Sequence, residues 1–235
     1  LRRHFPREYD RNQQTREKAM QVAIERILTS SLGGLEFQRN IKLRSSGRHL
    51  TDIDIVVIEP ATGMICLCQL KHQDLYGADL HSRHVRTTRL QEQSASWLAA
   101  IDAWQAEVGD AGILASLKLP KSFPLSAIRR VVIAKHYAYP LKHVADREDV
   151  AYGTWAQFVN SVKLSERGGR SRPGLADLFT ILRSAKAPNG PMEHLPEPPS
   201  HWQVYALKFG ILHDRAPGQS SPHPTPSGGR DRTVG

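Results

Sequence analysis

Apolar and polar residues follow two different periods along the first part of the chain. Across residues 13–32 the apolar positions recur every three or four residues, which predicts an amphipathic helix that ends at Gly33 and Gly34. From Leu35 to Leu43 the apolar positions instead recur every second residue, as in a β-strand. A helix followed by a strand is therefore expected.

The next segment, Leu50–Lys71, predicts a β-hairpin. Its two arms, Leu50–Ile58 and Met64–Lys71, are dominated by β-branched and apolar residues, and Pro60 and Gly63 lie between them. With the preceding strand, the hairpin would form a three-stranded meander packed on the first helix.

The first arm carries two acids among its apolar residues. Because side chains alternate between the faces of a strand, Asp52 and Asp54 are expected on one face, and Ile53, Ile55 and Val57 on the other. The two carboxylates therefore point to a polar site on one side of an otherwise apolar strand.

The second arm ends in a polar pair that can meet these acids. Gln69 and Lys71 share a face, and pairing of the two arms would bring them beside Asp54. Burying an acid, an amide and an ammonium at strand ends costs several kcal/mol without compensation. A divalent cation and a phosphate would supply that compensation.

Later segments predict three more helices and one more strand. The strand is a buried apolar run that follows a helix directly, so a helical crossover into a mixed sheet is expected. In chain order these elements are a helix over Gln91–Val108, a strand over Ile128–Ala134, and helices over Tyr152–Val162 and Leu175–Ala185. The core order is thus helix, three strands, helix, strand, helix.

An Asp, a hairpin and then Gln-x-Lys resemble the motif of the PD-(D/E)xK nuclease superfamily. Gln in the middle position is similar to the Mrr-like restriction endonucleases, and the run Thr51–Val57 resembles the nuclease-related (NERD) branch. The resemblance implies an α/β fold with a restriction-endonuclease-like αβββαβ core, in which a mixed central sheet is flanked by helices. It implies a metal-dependent nuclease, expected to act on DNA as an endonuclease in defence or restriction.

The resemblance also assigns roles to residues. Asp54 and the side-chain oxygen of Gln69 would bind Mg²⁺ or Mn²⁺, and Lys71 would orient the attacking water or stabilise the transition state. In the superfamily the first helix often supplies a Glu to the metal. Glu17, on the apolar stripe of the helix, is the first choice and Glu25 the second, although Glu17 lies close enough to the helix start for a purely local electrostatic role.

The net positive charge of the chain bears on which partner to expect. The net charge of +9 over 235 residues favours polyanions, although many basic proteins have no specific polyanionic partner. Two chains are usually needed to cut both strands of a duplex, so a homodimer is one expected assembly.

Apolar runs do not approach the ~20 residues of a membrane span, so no membrane contact is expected.

A cluster of basic residues follows the hairpin. If the end of the hairpin is a nuclease centre, this cluster would hold backbone phosphates, and otherwise it is a solvated helix start. Its members are His81, Arg83, His84, Arg86 and Arg89.

The only two cysteines, Cys66 and Cys68, lie two apart on one predicted strand, too far apart along one face for a disulfide. With no second Cys pair to complete a zinc site, core cysteines in a reducing, cytoplasmic compartment are expected.

Composition divides the chain into four regions. We expect a flexible basic arm over 1–12, the nuclease-like domain over 13–185, a Pro-rich linker with a docking segment over 186–213, and a disordered tail rich in Pro, Gly and Ser over 214–235.

Two other functions remain open from the sequence. Gln69 removes one negative charge from the metal site, as in a nuclease fold that has decayed into a DNA-binding module. A non-enzymatic interaction scaffold is the third hypothesis. Metal-dependent cleavage and salt-dependent DNA binding would distinguish the three.

Overall fold

Five strands form one mixed sheet with helices on both faces. The computed structural model describes residues 5–45, 47–72, 80–136, 138, 141, 146–167 and 174–185. The linker and docking segment predicted over 186–213 and the tail predicted over 214–235 lie outside the described residues.

The strands follow one another across the sheet in chain order. The first two pairings are antiparallel and the last two are parallel, so the predicted meander and helical crossover into a mixed sheet are both confirmed. The strands are β1 (Glu36–Ser45), β2 (Arg48–Glu59), β3 (Met64–Lys71), β4 (Ala127–Ala134) and β5 (Val150–Thr154).

The helices divide the core into two layers. One face of the sheet packs against α1, α3 and α4, and the other packs against α2 with its buried Trp97, Ile101 and Trp104. Both cysteines are free and buried in the first layer. The helices are α1 (Pro6–Ser31), α2 (Leu80–Ser116), α3 (Trp155–Arg167) and α4 (Leu175–Ser184).

Two helices are longer than the sequence predicts. Helix α1 begins at Pro6 rather than Gln13, because Pro suits the first helical turn and a polar stretch can remain helical without an apolar stripe. Helix α2 begins at Leu80 rather than Gln91, because its polar first turns are likewise helical without an apolar stripe. It also includes Gly109, whose φ of 59° and ψ of −177° mark a kink, so part of the predicted connection after Val108 is helical.

The predicted helix over Tyr152–Val162 was wrong at its start. Val150–Thr154 instead forms β5, parallel to β4, and α3 begins only at Trp155. A capping box fixes that boundary, because the backbone N–H of Gln157 donates to Thr154 Oγ1 while Gln157 Oε1 accepts from the Thr154 N–H. The Thr-x-x-Gln signature was present in the sequence and was overlooked.

None of the helices in the described ranges is both long enough and apolar enough to cross a membrane.

The β2–β3 turn depends on a glycine. Gly63 has a φ of +71°, its carbonyl accepts from the Ser126 N–H at 3.0 Å, and a Cβ there would overlap the carbonyl oxygen of Pro124. We predict that Gly63→Ala lowers the free energy of unfolding by more than about 1 kcal/mol, measured by urea denaturation. Gly33→Ala is the matched control, because open space surrounds that position. Equal losses in the two variants would contradict the role of the turn.

Candidate functional site

The alternation of side chains in β1 and β2 reverses where Asn40 faces Asp54. The ladder pairs Arg39 with Ile55 and Ile41 with Ile53 but skips Asn40, whose φ is +52°. As a result, Ile53 packs against the α2 side of the sheet, whereas Ile55 packs against the α1 side. The predicted common face for Ile53, Ile55 and Val57 was therefore wrong for Ile53.

A buried glutamine on α1 satisfies the backbone at this interruption. Gln21 Nε2 donates to the carbonyl oxygen of Asp54 at 2.9 Å and to Asn40 Oδ1 at 2.8 Å. From the other face, Trp97 Nε1 donates to the carbonyl oxygen of Asp52 at 3.0 Å. The segment that carries Asp54 is thus held from both layers of the core.

The sequence contained a signal for Gln21 that was not used. It is a polar residue inside an apolar helical stripe, and it lies one turn after Glu17. In the structure its side chain is only 3% exposed. Buried amides are almost always hydrogen-bonded, so such a residue indicates a specific partner.

The Asp54 carboxylate points toward the end of β3. Its Oδ2 accepts from the Leu70 N–H at 2.6 Å. Burial raises the pKa of Asp54 to about 6, against the opposing effects of this hydrogen bond and of Lys71, and the nearby Glu17 and Asp52 raise it further. A carboxyl group that titrates near neutral pH is typical of functional sites.

Lys71 and Glu17 interact with Asp54 and with each other. Burial lowers the pKa of Lys71. The negative charges of Asp54 and Glu17 oppose this shift, and the positive charge of Arg89 reinforces it. Glu17 lies at the solvent-exposed rim, where the neighbouring protein removes enough hydration to raise its pKa and Lys71 opposes the shift. Two acids and an ammonium are therefore electrostatically coupled at the end of the hairpin, with Glu17 at its exposed rim.

Gln69 completes the group with an unsatisfied oxygen. The last β2–β3 pair is Ile55 with Cys68, so Gln69 lies opposite Asp54 one step further along. Its Oε1 is buried and makes no hydrogen bond to any described residue. Such an oxygen is free to accept from a ligand or to coordinate a cation.

Two other acids have partners of their own. Glu25 forms a two-pronged ion pair with Arg39. Asp52 is half exposed and lies 2.9 Å from His49 Nε2. The structure thus brings Asp54, Gln69, Lys71 and Glu17 together and places Glu25 in a separate pair.

The basic cluster occupies the first turns of α2. Arg89 acts electrostatically on Lys71, which places this helix beside the site. His81, His84 and Arg89 are exposed and Arg86 is half-buried, while the Arg83 side chain lies outside the described residues.

The described residues contain no group of three or more His, Cys, Asp and Glu side chains suited to a metal. The oxygen donors at this site are instead two carboxylates and an amide. Comparisons of the chain with models of protein families, with curated proteins and with solved structures found no match. Function must therefore be inferred from the chemistry of the site.

The raised pKa of Asp54 predicts a pH-dependent loss of stability. The folded protein holds the proton of the Asp54 carboxyl group more tightly than the unfolded chain does. The resulting contribution to the free energy of unfolding is complete below pH 3.8 and disappears as the pH rises through about 6. We predict that Asp54→Asn, measured by urea unfolding in EDTA, becomes more stable relative to wild type by about 2 kcal/mol between pH 4 and pH 7.

Asp52→Asn is the control, because it removes an exposed carboxylate two residues away. If the free energies of unfolding of wild type and Asp54→Asn change in parallel with pH, burial does not raise the pKa of Asp54.

Proposed function

We propose that this protein is a metal-dependent nuclease of the PD-(D/E)xK type that hydrolyses phosphodiester bonds of DNA. The observation that carries the proposal is the shared position of Asp54, Lys71 and Glu17 beside the unsatisfied Gln69 oxygen. The order of α1, three strands, α2 and β4, followed by β5 and α3, supports a restriction-endonuclease-like core.

The donors fit a hard divalent cation. Asp54, Gln69 and, through water, Glu17 offer oxygen ligands, and the orphaned Gln69 Oε1 is an atom that coordination would satisfy. When bound there, Mg²⁺ or Mn²⁺ supplies a Lewis acid that neutralises charge on the scissile phosphate and acidifies a water molecule. The cation would also relieve the repulsion between Asp54 and Glu17.

Lys71 supplies the positive charge of the protein itself. Lys71 is half-buried, so its interaction with a phosphate is stronger than that of a fully exposed lysine. In this role Lys71 orients the attacking water or stabilises charge as the phosphate becomes pentavalent. Arg86 and Arg89 on α2 would hold backbone phosphates on either side.

One observation favours a second function. A third carboxylate is missing among the donors that the described residues bring together, and Gln69 stands where it would be. The same fold without catalysis would be a DNA-binding module, using the basic residues of α2 and the net charge of +9.

We predict that the wild type cleaves supercoiled plasmid or single-stranded DNA with Mg²⁺ or Mn²⁺ and not with EDTA. Asp54→Ala and Lys71→Ala should each lose at least about 100-fold in rate, because one removes a metal ligand and the other transition-state charge. Gel assays of strand cleavage measure this, and DNA binding by Lys71→Ala should remain.

Glu17→Ala should also slow cleavage, because Glu17 acts on Asp54 and Lys71. Glu25→Ala is its matched control, since it also removes an acid from α1 but one that pairs with Arg39. Cleavage that survives in Asp54→Ala or in EDTA would reject this centre. No cleavage by any protein, with salt-dependent DNA binding intact, would establish the binding module.

Gln69→Glu tests the metal site without relying on cleavage. A third carboxylate should tighten Mn²⁺ binding about tenfold, measured by calorimetry, because affinity for hard cations rises with ligand charge. In EDTA the same variant should melt at a lower temperature than wild type, since the introduced carboxylate would repel Asp54. Gln69→Ala, which removes the oxygen, should bind Mn²⁺ more weakly. Equal affinities in all three proteins would place the metal elsewhere.

A further inference from the structure

A cavity of about 230 Å³ lies beside the site and has no part in the mechanism above. Helix α1 contributes Arg16, Ala19, Met20 and Ala23 to its lining. The opposite wall is formed by His72 and Lys135, which follow β3 and β4, and by Trp155 at the start of α3.

The backbone connects this cavity directly to the candidate site. Arg16 precedes Glu17 and His72 follows Lys71. The backbone N–H of Lys135 donates to the carbonyl oxygen of Lys71 at 2.9 Å, so β4 holds Lys135 beside the end of β3. A strand bound at Lys71 would therefore pass next to the cavity.

The wall of the cavity is almost entirely apolar, and two of the residues that line it, Arg16 and Lys135, are basic. Arg16 contributes a guanidinium and Lys135 an ammonium, and Lys135 Nζ lies 3.0 Å from His72 Nε2. Because an ammonium can only donate, Nε2 is the acceptor in this contact. The remaining lining atoms belong to Ala, Met and the half-buried ring of Trp155.

These two halves match the two halves of a nucleotide. A phosphate pairs with arginine and lysine, and a base stacks on an aromatic face or packs on methionine. Enzymes that separate one nucleotide from its neighbours hold it in a cavity of this kind, which excludes a base pair.

We propose that this cavity binds one nucleotide of the substrate strand, with its phosphate at Arg16 and Lys135 and its base against Trp155. The proposal rests on the proposed function for the identity of the ligand as nucleic acid. The nucleotide comes either from the end of a strand or from an internal position extruded from its stack, and both sources offer the same phosphate and base.

Equilibrium binding in EDTA tests the subsite separately from catalysis. The probes are a linear single-stranded DNA with a 5′-phosphate and a circular single-stranded DNA of the same sequence, with wild type, Trp155→Leu and Lys135→Gln. Binding of the linear DNA should weaken roughly fivefold to 100-fold in Trp155→Leu, the range for losing one base–aromatic stack. Lys135→Gln should weaken it severalfold.

Lys121→Gln is the charge-matched control, because Lys121 is an exposed lysine before the opposite end of β4. It should bind both probes like wild type. Lys135 is also exposed, so its substitution tests the cavity even if Trp155→Leu unfolds, which thermal melting by circular dichroism would reveal.

The two probes distinguish the sources of the nucleotide. A loss confined to linear DNA assigns the cavity to a strand end, and an equal loss on circular DNA assigns it to an internal nucleotide. Unchanged binding of both probes by folded Trp155→Leu and Lys135→Gln overturns the subsite. Metal-dependent cleavage that requires Asp54 would then still support the nuclease, so the two proposals fail separately.

Discussion

The interruption between Asn40 and Asp54 is the constraint on which the candidate site depends. A carbonyl that leaves a sheet ladder inside a protein costs about 1–3 kcal/mol if it stays unpaired. Gln21 removes that cost by donating to the Asp54 carbonyl, and its second hydrogen bond holds Asn40, whose φ of +52° is unusual for a residue with a side chain. The interruption also changes which side chains face each layer. It leaves the Asp54 carboxylate directed at the Leu70 N–H, next to Gln69 and Lys71.

A second group of charges forms an ion-pair network elsewhere in this fold. The nearly buried guanidinium of Arg130 contacts Asp102 and Asp149, and Arg147 pairs with the same two acids. Each ionised group there has an opposite charge within bonding distance. Burial opposes the charged forms in both places, since it lowers the pKa of Arg130 and of Lys71 and raises that of Asp54. At the hairpin end Gln69 also presents a buried Oε1 with no hydrogen bond to the described residues. Arg130 and its partners join α2 to β4 and to the segment before β5. At the hairpin end, a cation would instead satisfy the buried carboxylate and the amide oxygen, and a phosphate would pair with the ammonium.

Local periodicity was sufficient to predict the elements that carry the site. The hairpin, the first helix and β4 each bury a regular apolar pattern, so their positions follow from the sequence alone. The reversal at Ile53 could not be predicted, because it depends on a long-range contact between Gln21 and the Asp54 backbone. The choice between Glu17 and Glu25 likewise required Arg39 on a neighbouring strand, which pairs with Glu25. The start of α2 was missed because a polar helix leaves no apolar period to detect.

Helix α1 joins these separate features, because neighbouring residues in two of its turns face different surroundings. Arg16 lines the cavity, Glu17 acts on Asp54 and Lys71, Met20 enters the core, and Gln21 holds the interrupted strand. An α-helix turns by about 100° per residue, so one rigid element can serve all four positions at fixed spacing. A small rotation of α1 would move the Glu17 carboxylate and the cavity together. The geometry of both therefore depends on the packing of Ile24 and Leu28, which anchor the helix against the sheet with almost no exposed surface.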